Sequence, residues 1–103
     1  MIVHVVVFRW SAGVTQGQVE RLSAALGAVA DGIPELTGYA CGPDLGLRPG
    51  GEDFGVVAMA RDEAGLSAYL DSAAHAEVYE RHLRHMVAER RAAQIGATLD
   101  FNR

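Results

Sequence analysis

Two histidines and a tyrosine are the residues of this chain best suited to chemistry. His75 closes the run Tyr69-Leu70-Asp71-Ser72-Ala73-Ala74-His75, and His4 stands inside the first apolar run. An imidazole with an ordinary pKa near about 6.5 can take a proton at neutral pH. A phenol can donate to an oxygen that gains charge as a proton leaves the neighbouring carbon. A pocket holding the three would be a half-buried acid/base cluster with His75 and Tyr69 as its candidate catalytic pair; the residue types alone identify no substrate. Tyr69 ends one short helical pattern and His75 begins a longer one, so both can point beneath a sheet that contains His4.

The elements that must position them follow from the patterning. Ile2 to Trp10, IVHVVVFRW, is dense in β-branched and aromatic residues and reads as a strand with two apolar faces. Thr15 and Gln18 have the spacing of a capping box, and Val19, Leu22, Leu26 and Val29 then recur at helical steps until Gly32-Ile33-Pro34. Leu36 to Gly42 is a weaker strand with Tyr39 and Cys41 on one side. The run Arg48-Pro49-Gly50-Gly51 reads as a hairpin connection to a strand over Phe54 to Ala60. Asp62 is placed to cap a helix through Ala64, Leu66, Tyr69 and Leu70, which Ser72-Ala73-Ala74 either kinks or replaces by a new one. A single long helix is expected from Ala76 to about Arg90, with Tyr79, Leu83, Met86 and Val87 as its stripe and Glu77–Arg81 and Glu80–Arg84 as surface pairs. A final half-buried strand is expected over Ala93 to Phe101, in which Ile95, Ala97, Leu99 and Phe101 alternate with Gln94, Gly96, Thr98 and Asp100.

Composition narrows the function classes. The 103 residues suit one domain spanning 1–103, and half of them are hydrophobic. Nine basic residues, all Arg, against thirteen acidic ones give a net charge of −4. That charge disfavours nucleic acid as a partner, because a phosphate backbone would be repelled. The apolar run around Val5 to Phe8 is too short to span a bilayer, and no membrane partner is expected. The lone Cys41 suits a reducing compartment, and the expected location is cytoplasmic.

The order β-α-β-β-α-β defines an α+β class: two split β-α-β units forming one antiparallel four-stranded sheet with helices on a single face. The other face has nothing to cover it. A second copy packed sheet to sheet is the simplest cover, so a homodimer is expected.

The opening MIVHVVVFRW with its early histidine, Ile33-Pro34 before the second strand, and the Tyr69 to His75 element together resemble the Dabb family, the stress-responsive dimeric α/β-barrel domains. The resemblance covers nearly the whole chain and implies a ferredoxin-like βαββαβ monomer whose sheet pairs into a dimeric α/β barrel. One plant branch, that of olivetolic acid cyclase, closes a linear polyketide by an intramolecular aldol reaction. Its histidine and tyrosine match His75 and Tyr69, and an early-strand histidine matches His4. The chain departs from the family's frequent His-Pro-x-His, keeping only the last histidine in Ser72-Ala73-Ala74-His75.

The expected substrate-binding set is His4, Val6, Phe8, Leu66, Tyr79, His82 and Leu83, around a polyketide-like or other apolar small molecule. His75, Tyr79, His82 and Met86 form a ridge, but no carboxylate or cysteine joins it at a metal-binding spacing, so neither metal nor other cofactor is expected. Three functions fit. The first is a cofactor-free polyketide-cyclase-like lyase with His75 as base. The second is a non-catalytic, stress-responsive or small-molecule-binding dimer. The third is a cofactor-free monooxygenase or isomerase of the dimeric α/β-barrel type.

Overall fold

Strand β1 (Ile2–Trp10) runs through the middle of a four-stranded antiparallel sheet ordered β2-β3-β1-β4, as seen in a computed structural model that describes residues 1–98. Its neighbours are β3 (Phe54–Ala60) and β4 (Val87–Gly96), while β2 (Leu36–Pro43) lies outside β3. The registers Val6↔Val56 and Val6↔Ala92 set the pleat for the whole sheet. Side chains at even positions of β1 and β3 therefore share one face. There His4, Val6, Phe8, Phe54, Val56, Ala58 and Ala60 are buried under the helices.

Helix α1 (Gln16–Asp31) starts where the spacing predicts. The Thr15 hydroxyl accepts from the Gln18 amide at 3.2 Å, and the Gln18 side chain accepts from the Thr15 amide at 2.8 Å. Its stripe of Leu22, Leu26 and Val29 is buried on the sheet, with Leu22 fully so, and each such side chain contributes roughly 1.5–3 kcal/mol. Helix α2 (Glu63–Leu70) is capped by Asp62, whose carboxylate accepts from the Gly65 amide at 2.8 Å.

Past Ser72 the chain departs from the single long helix expected over Ala76 to Arg90. Helix α3 (Ala73–Val78) passes into a π-helical turn (Tyr79–Leu83) and a short α4 (Arg84–Met86), and β4 begins at Val87. The stretch Val87 to Gln94 has the Ala, Glu and Arg content of a helix, yet it pairs with β1 from Trp10↔Val87 to Ile2↔Gly96. Hydrogen bonding along the full length of β1 outweighs propensities worth only tenths of a kcal/mol per residue. The Ser11 amide, donating to the Met86 carbonyl at 2.7 Å, ties the end of α4 to the end of β1. Both expected surface pairs are present, Glu77–Arg81 and Glu80–Arg84, each at 2.8 Å.

The pairing also sets which face of the last strand lies under the helices. Gln94 pairs with His4 and lies on the helix side, whereas Ile95 pairs with Val3 on the open side and is 52 % exposed. Leu99 and Phe101, at the end of the expected strand, lie outside the described residues. The open face is apolar across three strands: Val3, Val5 and Val7 of β1 stand beside Val57 and Met59 of β3 and Ala93 and Ile95 of β4. No helix among the described residues is long and apolar enough to cross a membrane.

Candidate functional site

Ser72 joins the two residues of greatest chemical interest. Its hydroxyl donates to the Tyr69 carbonyl at 2.8 Å and accepts from the His75 amide at 3.1 Å, so one side chain closes α2 and caps α3. The resulting break brings the Tyr69 and His75 rings into edge contact, with centroids 4.8 Å apart and planes at 71°. Both rings line a cavity of about 270 Å³ between the sheet and the helices. His4 and Val6 supply its sheet wall, Leu83 and Tyr79 its helical wall, and Arg90 joins them from the edge strand.

Burial and charge set the protonation of the site. His75 is held below its ordinary value of 6.5 by burial first and then by the Arg90 guanidinium, against an opposing pull from Asp71. His4 is lowered by burial, by Arg90 and by His75. Both imidazoles are therefore mainly neutral at pH 7, the form that accepts a proton. His4 Nδ1 lies 2.8 Å from Gln94 Nε2; the amide N–H donates, which leaves the ring proton on Nε2. That bond satisfies Nδ1 of a residue that is only 3 % exposed.

Tyr69 has a partner that its place in a helical stripe does not reveal. Its hydroxyl lies 2.9 Å from that of Tyr39 on β2, and the rings meet edge to face at 5.6 Å. Burial and then this bond push Tyr39 up, while the bond pulls Tyr69 down, as expected when Tyr39 donates and Tyr69 accepts. Burial outweighs this at Tyr69, whose phenol stays above its ordinary range, so Tyr69 keeps its own proton as a donor.

Of the expected site residues, His75, Tyr69, His4, Val6, Phe8, Tyr79 and Leu83 meet around this cavity, Tyr79 at its rim with 49 % exposure. Leu66 and His82 do not. Leu66 is buried in the core, one helical turn before Tyr69. His82 faces a separate cleft toward α1, beside Gln18 and Arg21. The ridge reading placed His82 with Tyr79, but the π-helical turn changes the angular step between them. Among the described residues no three His, Cys, Asp or Glu side chains are grouped to hold a metal ion. Arg90, Gln94 and Tyr39 were missed: Arg90 because its segment reads as helix, Gln94 because alternation does not say which side of the last strand the helices take, and Tyr39 because its partner is thirty residues away in sequence.

The split β-α-β order, antiparallel sheet and single helical layer define a ferredoxin-like fold. The chain belongs to the Dabb family, the Stress responsive A/B Barrel Domain, whose pattern matches residues 2–95. It is 42 % identical to a dimeric ferredoxin-like protein of unknown function from Thermobifida fusca, with 93 % of this chain and 90 % of that one covered and a TM-score of 0.85. A Dabb family protein with a ferredoxin-like fold from Mesorhizobium loti is 17 % identical, with coverage of 94 % and 96 % and a TM-score of 0.77. A hydroxynitrile lyase from Passiflora edulis is 19 % identical, with 96 % of each chain covered and a TM-score of 0.77. The last two bear on the fold alone. No curated protein matches the chain significantly.

Proposed function

We propose that the chain is a cofactor-free general-base enzyme acting on a small enolisable carbonyl compound, in the cyclase form an intramolecular aldol closure of a short poly-β-ketone. The observation that carries this reading is a mainly neutral His75 in edge contact with Tyr69 on the wall of a mostly apolar cavity. His75 takes the α-proton and Tyr69 donates to the enolate oxygen, while Val6, Phe8 and Leu83 fold the substrate and exclude water. A volume of about 270 Å³ is near the lower end of ligand pockets, which start at roughly 300 Å³, and favours a small substrate.

The enzyme works as a homodimer in the cytoplasm, each copy covering the other's apolar sheet face. Leu45 and Leu47, 80 % and 72 % exposed, flank a groove lined by Val7 and Gly55 of that same face and extend the surface a partner would cover. A short poly-β-ketothioester, followed by chromatography for cyclised product, tests the chemistry. His75→Gln is expected to lower turnover by roughly 10²-fold or more with a smaller change in KM, and Tyr69→Phe to cost less. Full turnover in His75→Gln would remove the general-base role.

A further inference from the structure

We propose that Arg90 is the specificity-determining residue of this cavity and that the substrate carries a carboxylate, held by the Arg90 guanidinium at the rim while its apolar remainder lies inside. This rests on the reading of the cavity as the substrate site and names the class of molecule it takes.

The charge distribution carries the inference. Two cations line the cavity, Arg84 and Arg90, and no carboxylate does. Arg84 is already paired with Glu80 at 2.8 Å. Arg9 pairs with Glu52 and Glu89, Arg81 with Glu77, and Arg91 with Glu89. Arg90 has no carboxylate within ion-pair distance among the described residues, and Asp71, whose charge is felt at His75, makes no pair with it. A cation with no such partner, in a chain of net charge −4, thus stands at the cavity that holds His4, Tyr69 and His75. Its position on β4 opposite Phe8 puts it on the helix-facing side of an edge strand, where it is exposed. A guanidinium there presents parallel N–H donors that match a carboxylate.

Such binding also couples to the chemistry. The Arg90 charge depresses both imidazoles. A carboxylate on Arg90 cancels much of that field, so His75 becomes the stronger base when the substrate is in place.

The test is an NMR titration of the full chain with hexanoate and with hexanamide, a neutral molecule of the same shape, read at the His4 and His75 ring signals. Hexanoate is expected to bind roughly tenfold more tightly than hexanamide and to raise the His75 titration midpoint. Arg90→Gln erases the preference, Arg90→Lys keeps part of it, and Arg91→Gln, on the opposite face, leaves it unchanged. Equal affinity for the two probes in the native chain, a preference that survives Arg90→Gln, or no response of either imidazole overturns the proposal. The two readings fail separately. A protein whose turnover depends on His75 yet shows no carboxylate preference refutes the role of Arg90 alone. If His75→Gln keeps its turnover while hexanoate still binds through Arg90, the base is refuted and the anion site stands.

Discussion

His75 owes its candidacy to its surroundings as much as to its type. Burial and the nearby Arg90 charge both disfavour imidazolium, so its folded-state pKa lies below the ordinary 6.5. The sign for activity follows: the base is lost only as pH falls through this depressed value, so the acid limb of kcat/KM should have its midpoint below 6.5. Arg90→Gln should move that midpoint up and Asp71→Asn should move it down, because Arg90 lowers His75 and Asp71 raises it. A pH–rate series on the three proteins checks both directions. For stability the same depression means that the unfolded chain binds protons first, so stability falls as pH drops through 6.5 toward the folded value. At this scale the sequence makes His75, Tyr69 and His4 visible as residue types. It hides Tyr39 and Gln94, because a hydrogen bond across thirty or ninety residues leaves no periodicity to read, and Arg90, because its segment has the composition of a helix.

Among the elements, the break at Ser72 matters most for the site. A continuous helix from Glu63 onward would change the angle between Tyr69 and His75, whereas a capped restart fixes their edge contact. Ser72→Ala removes the acceptor for the His75 amide and the donor to the Tyr69 carbonyl. It should cost about 1 kcal/mol in urea unfolding and reduce turnover with the fold retained. Unchanged stability would show that the cap is dispensable. Both side-chain caps with sequence signals, Thr15 and Asp62, stand where their spacing indicates, since a cap is a local interaction. β4 is the opposite case. Ala-Glu-Arg-Arg-Ala-Ala has no strand pattern of its own, and it becomes a strand because β1 offers a free edge along its whole length.

For the whole molecule, the open sheet face is the surface through which the proposed dimer would form. Val5 lies between Val57 and Ala93 near its centre, so in the proposed sheet-to-sheet dimer Val5→Asp would place a charge in the middle of the interface. The native chain should sediment as a dimer burying well over roughly 1,000 Å². Val5→Asp should sediment as a monomer, and an unaltered dimer would place the interface elsewhere. The exposed Ile95 belongs to this same face; alternation fixes which residues share a side but not which side the helices take. The central claim is that His75 removes a proton from carbon inside the cavity. Deuterium incorporation at the α-carbon of a simple β-ketothioester, followed in D₂O over the uncatalysed background, measures that step without requiring cyclisation. The native chain should accelerate exchange, and His75→Gln should lose roughly 10²-fold of that acceleration while still binding the thioester; equal exchange in the two proteins would contradict the account.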